Sequence, residues 1–122
     1  MARTNIPYVN VNRFGVTQAS PVAGDVANGM EIMNNDGRIW VELANVSNAG
    51  SVNVTTDVPK LFDGDLTIAD IIVALAPGSV KEMGPWKPGI FNRSVVAGAT
   101  LESVYIDVSS SGITFRGYRL EP

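Results

Sequence analysis

The sequence predicts an all-β protein: one antiparallel β-sandwich, jelly-roll-like or Ig-like, entered through an extended N-terminal arm. Three observations predict it. Short runs alternate apolar and polar residues, the period of a half-buried strand. Turn signals recur every ~8–12 residues between those runs. No apolar stripe of helical period continues long enough for an ordinary helix. At 122 residues the chain fits a single domain, and that length buries a core without disulfides or metal. The division expected is an arm over residues 1–25 and a sandwich over residues 26–122.

The arm comes first. Pro7 and Pro21 interrupt any regular element, and Gln18-Ala19-Ser20-Pro21 reads as linker. Yet Ile6, Tyr8, Val9, Val11, Phe14 and Val16 are too many apolar residues for a free tail. The arm is expected to lie on its own domain or on a neighbouring subunit.

From Met30 the pattern is β. Asp36-Gly37 between extended runs is a hairpin signal, because the turn needs positive φ. In Arg38–Asn45, Ile39, Val41 and Leu43 share one face, and Arg38, Trp40 and Glu42 share the other. Trp40 therefore points away from the main core, either as cover over a sheet edge or the arm, or as a subunit contact. After the turn Ser47-Asn48-Ala49-Gly50, Val52, Val54 and Thr56 alternate with Asn53, Thr55 and Asp57, and Pro59 closes the strand. Ile71–Leu75 is apolar at every position, as for a strand buried on both faces; a short helical turn from Ile68 to Ala74 is the competing reading. Val80–Met83 begins a return strand after Ala76-Pro77-Gly78-Ser79.

Gly84-Pro85-Trp86-Lys87-Pro88-Gly89-Ile90-Phe91-Asn92 holds two prolines, two glycines and two large aromatics. The prolines cannot donate to a ladder and the glycines permit bends. The stretch reads first as a corner with Trp86 and Phe91 turned inward, and second as a recognition loop. Val104, Ile106 and Val108 then alternate with Tyr105 and Asp107. Ser110-Ser111-Gly112 turns the chain. In the last strand Ile113 and Phe115 oppose Thr114, Arg116 and Tyr118.

Composition narrows the function classes. There is no cysteine and no histidine, which removes thiolate chemistry, the commonest general base and the commonest metal ligand. An enzyme is not expected. Asp63, Asp65 and Asp70 lack the loop and closing Glu of a calcium site and suit ordinary turns. Glu42, Glu82 and Glu102 are scattered strand carboxylates, and no phosphate-binding glycine motif occurs. No metal or cofactor is expected. Arg3 and Arg13 give residues 1–24 two positive charges and no acid, while the remainder sets seven basic residues against twelve acidic ones, a net −5. So acidic a body disfavours nucleic acid. No apolar run follows Met1 or approaches membrane-span length, so neither a secretion signal nor a membrane partner is expected. The sequons at Asn45, Asn53 and Asn92 accordingly read as strand and loop residues.

Three stretches, in order, carry a family resemblance. The first is Met1-Ala2-Arg3-Thr4 leading an Asn- and Val-rich arm into Val22-Ala23-Gly24-Asp25 and Asn28-Gly29. The second is Asn35-Asp36-Gly37-Arg38-Ile39-Trp40-Val41 with the Asn/Gly turn and Val/Thr strand after it. The third is Ala76-Pro77-Gly78-Ser79, Gly84-Pro85-Trp86, Phe91-Asn92 and the final strands ending in Arg119-Leu120. The chain resembles the small head-decoration, or capsid cement, proteins of tailed bacteriophages, especially those of actinobacterial hosts.

The resemblance implies a non-enzymatic virion protein, made in the host cytoplasm and bound to the capsid exterior. Its partner would be the major capsid protein, at junctions between capsid subunits, with the decoration protein a homo-trimer or homo-dimer. The contact residues expected are Arg3, Ile6, Tyr8, Val9, Val11, Arg13, Phe14, Trp40, Trp86 and Arg93, with Arg116 a further available cation. The arm would reach across a boundary, so deleting residues 2–20 is expected to leave a folded domain that no longer binds shells. Two alternatives stand beside this. One is a carbohydrate-binding or adhesion module using Trp86, Phe91, Trp40 and Tyr105 as a stacking platform; the other is a tail or connector component.

Overall fold

The computed structural model describes residues 3–47, 50–58, 61–62, 66–67, 69–91 and 103–121. The strands are β1 (Thr4–Asn5), β2 (Tyr8–Val11), β3 (Val22–Ala23), β4 (Met30–Ile32), β5 (Ile39–Asn45), β6 (Val52–Thr56), β7 (Leu61–Phe62), β8 (Leu66–Thr67), β9 (Ile71–Leu75), β10 (Val80–Met83), β11 (Val104–Val108) and β12 (Ile113–Leu120), with one helical turn, α1 (Pro88–Phe91), before β11. Two sheets pack face to face. Sheet A has the order β1-β4-β11-β6-β9, and sheet B the order β10-β5-β12-β2 with β3 also on β12. The predicted all-β sandwich is the observed fold.

The period-two pattern sets the inner faces. Ile39, Val41 and Leu43 of β5, Val52 and Val54 of β6, Val104 and Ile106 of β11, and Ile113 and Phe115 of β12 are all buried between the sheets. Each strand offers its alternate residues to that space because successive Cβ atoms point to opposite faces. Asn45, at the end of β5, is buried as well and donates from Nδ2 to the carbonyls of Gly50 and Leu75, both at 3.0 Å. That sequon asparagine is a structural bracket.

The arm is not an appendage. β1 pairs parallel with β4, β2 parallel with β12, and β3 antiparallel with β12. Ile6 sits between β1 and β2 and is 1% exposed in the core. The expected boundary at residue 25 therefore falls inside one packed unit, to which β1, Ile6, β2 and β3 contribute. The parallel pairs also make each sheet mixed. No short hairpin links β2 to β12, so nothing forces the antiparallel direction. Gly117 permits the crossing from β1 to β2: a Cβ there would lie 2.4 Å from the Pro7 carbonyl oxygen.

Two more expectations change. Asp36-Gly37 does not join a hairpin, because β4 lies in sheet A and β5 in sheet B; the same positive-φ geometry carries the chain between layers, with Asn34 at φ 57° and Gly37 at φ 87°. And Ile71–Leu75 is a strand, but it is not buried on both faces. β9 is the last strand of sheet A, and Ile72 is 63% exposed. Val73 pairs with the buried Val54 on the inner face, so Ile72 lies on the outer face of sheet A.

The corner reading of Gly84–Phe91 holds. The Gly84-Pro85 peptide is cis, and Trp86 is 2% exposed under the end of the sandwich. Trp86 Nε1 donates to Thr56 Oγ1 at 3.4 Å, and the buried Asn35 Nδ2 donates to the Trp86 carbonyl at 3.0 Å. Phe91 packs partly buried against the same core.

Candidate interaction surface

The feature that stands apart from this packing is the turn after β2. Asn12 and Gly15 form a bridge, and Gly15 N–H donates to the Asn12 carbonyl at 3.0 Å. Phe14 N–H donates to Asn12 Oδ1 at 2.9 Å, an Asx turn. Gly15 supplies the left-handed φ of 93° that closes the turn. The base is held by the register Val11↔Leu120 and by Glu121 N–H donating to the Val11 carbonyl at 2.9 Å.

Local hydrogen bonds thus fix the backbone, yet the side chain they present is open. Phe14 is 86% exposed. The Arg13 guanidinium carbon lies 5.2 Å from the Phe14 ring centroid, within cation–π range. Among the described residues Arg13 makes no ion pair. A braced turn that holds an aromatic in water beside a cation has the composition of an interface anchor, where aromatics and arginine are enriched.

The other expected contact residues are not gathered around it. Arg3 is engaged inside sheet A. It donates from Nη1 to Asp107 Oδ1 at 2.9 Å and to the Met30 carbonyl at 3.2 Å, pairs with Asp57 at 3.7 Å, and lies 4.0 Å above the Tyr105 ring. Ile6 and Trp86 are core residues. Tyr8, Val9 and Val11 are half-buried in β2, with Tyr8 packed against the core. Trp40 lies on the outer face of sheet B as expected, where it stacks on Tyr118 with ring centroids 5.7 Å apart; this is cover over a neighbouring strand. Arg116 donates to the Ala19 carbonyl at 3.0 Å and faces Glu42 at 3.5 Å. Arg93 lies outside the described residues, as do Asp63 and Asp65. Among the described members of the expected set, Arg13 and Phe14 are the pair presented to solvent.

Sequence reasoning missed the acidic setting of Arg3. Burial raises the Asp57 carboxyl to about 6, with repulsion from Asp107 and then Asp70 adding to it against the attraction of Arg3. Asp25 goes the other way: hydrogen bonds from the Thr4 hydroxyl and the Asn28 amide hold its carboxyl below the usual range. Alternation places Asp57 and Asp107 on outer faces, but no local signal brings Arg3 to them across the whole chain.

Among the described residues no three Asp or Glu side chains form a metal-binding group. A hollow of about 170 Å³ lined by Ser47, Gly50, Ser51, Val52 and Ser110 is smaller than the ~300–1,000 Å³ of small-molecule sites. No helix among the described residues is long and apolar enough to cross a membrane. No family model matches the chain, and neither a curated protein nor a solved structure matches it.

Proposed function

We propose that this chain is a non-enzymatic structural protein of a bacteriophage virion. In this reading it decorates the outer surface of the capsid at junctions between major capsid subunits and stiffens the shell. Two things support it: the ordered stretches that carry the resemblance to head-decoration proteins, and the Asn12–Gly15 turn. The observation that carries the docking role is Phe14, 86% exposed on a hydrogen-bonded turn beside Arg13. Burying that ring in a pocket of the capsid protein recovers roughly 1.5–3 kcal/mol. Repetition on a symmetric shell multiplies the effect of a modest contact. The N-terminal segment acts here as part of the rigid body, so the contact is a knob on a wedge, not a disordered strap.

The test is co-sedimentation with expanded shells assembled from the major capsid protein of the same virus. The full chain is expected in the shell pellet at a saturable copy number. Phe14→Ser and Arg13→Glu are expected to weaken binding by about tenfold or more, the scale of an anchor residue. A full chain that stays in the supernatant at all concentrations would sink the capsid reading. Full binding by both variants would leave the capsid reading standing and remove the turn from it.

A further inference from the structure

The other open feature is the far edge of β9. β6 bonds to β11 through its odd-numbered residues: Asp57 N–H donates to the Tyr105 carbonyl and Ser109 N–H to the Asn53 carbonyl. Ladder bonds alternate sides along a strand. The even-numbered residues of β6 therefore face β9, in the register Val52↔Leu75, Val54↔Val73 and Thr56↔Ile71. It follows that Ile72 and Ala74 turn their backbone N–H and C=O groups to the open edge. Lys81 Nζ confirms that direction, since it reaches the Ala74 carbonyl from β10 at 2.8 Å.

Natural sheets blunt such edges with charges, prolines, bulges or very short strands. β1 is short, and the edge strand β10 carries Lys81 and Glu82. β9 has none of these within Ile71–Leu75, where the one guard among the described residues is the Lys81 ammonium reaching the Ala74 carbonyl from β10, and Ile71 and Ile72 are 45% and 63% exposed. Among the described residues it pairs with β6 alone.

We propose that β9 pairs antiparallel with β9 of a second copy of this chain, across a symmetry axis at Val73. In that register Ile72 of one copy lies opposite Ala74 of the other, twice over, so the edge-facing groups meet one another. Val73 meets Val73 as the close pair without ladder bonds. Asp70 falls opposite Ala76 of the second copy, beside its Lys81. Lys81 leaves its own Ala74 carbonyl, which the ladder now uses, and pairs with Asp70 of the other chain; symmetry makes the exchange at both ends. Asp70, just before β9, and Lys81, on β10 beside its other end, are thus complementary to the same pair reversed; Asp70 Oδ1 accepts the Val58 N–H at 2.9 Å, which leaves Oδ2 for Lys81. Such an isologous contact uses up the edge and closes at a dimer. It stands on β9 and its neighbours and does not rest on the capsid reading.

The test uses the full chain in solution. Sedimentation equilibrium is expected to show a concentration-dependent dimer. Ile72→Pro removes an edge-facing N–H that the β6 ladder does not use, and is expected to abolish the dimer while circular dichroism stays that of the parent. The chain has no cysteine, so Val73→Cys provides a unique cross-link. The close pair sets Cα atoms about 4.5 Å apart, within disulfide range. Oxidation is expected to give a covalent dimer from Val73→Cys and none from Ile72→Cys, whose counterpart across the axis is Ala74. A monomer at every concentration, a dimer indifferent to Ile72→Pro, or cross-linking equal in both cysteine variants would each overturn the proposal.

Discussion

Arg3 Nη1 lies 2.9 Å from Asp107 Oδ1, joining residues 104 positions apart. The same guanidinium faces Asp57 at 3.7 Å. One cation therefore answers two carboxylates on the outer face of sheet A, and this fastens β1 to β11. Asp57 is the more distant of the two, and burial, with repulsion from Asp107, raises its carboxyl.

That burial has a pH signature. The folded Asp57 carboxyl is raised from 3.8 to about 6, so folding takes up a proton between those values. The stability this group contributes is full below 3.8 and falls away as pH rises through about 6. Asp25 works in the opposite sense, with a contribution present above its ordinary value and lost as pH falls below it. Urea unfolding across this range is expected to show that Asp57→Asn flattens the loss of stability between pH 4 and 6 relative to the parent. An unchanged slope in Asp57→Asn would mean that Asp57 does not carry it.

Ile6 gives a second prediction. It is 1% exposed in the core, and its main-chain N–H donates to the Glu31 carbonyl at 2.9 Å. Ile6→Ala is expected to cost about 2–5 kcal/mol, the range for large-to-small core changes. Truncation to Tyr8 removes Arg3, β1 and Ile6 together and is expected to lower the urea midpoint at least as far. A truncated chain that unfolds like the parent would show that the first seven residues lie outside the cooperative unit.

Trp86 gives a third. Trp86→Ala is expected to lose about 3–5 kcal/mol from the emptied corner, whereas Trp86→Phe keeps most of the packing and loses the hydrogen bond to Thr56. Calorimetry on the pair separates the two. Trp86 fluorescence is expected at short wavelength in the folded protein, read in a Trp40→Phe background. A glycan array on Trp86→Ala then distinguishes a corner from a stacking platform: a sugar signal in the parent that disappears while the melting temperature holds would favour the platform.

Much of this architecture was legible in the residues themselves. Ile39, Val41 and Leu43, and likewise Ile113 and Phe115, announce an inner face because alternation is a local property of a pleated strand. Trp86 between two prolines announces a corner for the same local reason. What could not be read is relational. Asp36-Gly37 specifies a tight reversal of backbone but not whether the next strand returns to the same sheet. Ile71–Leu75 specifies an apolar strand but not its place in the order, which the pairing with β6 decides. Arg3 carries no mark of the carboxylates it meets, because they arrive from β11 and the end of β6. Phe14 was legible only as one apolar residue among six in the arm; its exposure depends on Asn12 and Gly15 closing the turn beneath it.

Gly117 offers a final prediction, on how tightly the first strands are held. It lies in β12 between Val41 of β5 and Tyr8 of β2. A Cβ at this position would stand 2.4 Å from the Pro7 carbonyl oxygen and 3.0 Å from the Tyr8 Cβ. The nearer atom is backbone, so no rotamer change relieves the contact and β2 must move outward. Gly117→Ala is expected to cost about 1–3 kcal/mol, the usual penalty for overpacking. The loss is expected to be local. Hydrogen exchange should quicken at the amides that bond β2 to β12, while the ladder between β12 and β5 keeps its protection. Uniform loss in both ladders would place the strain in β12 itself, and unchanged stability would mean that Pro7 has room to yield.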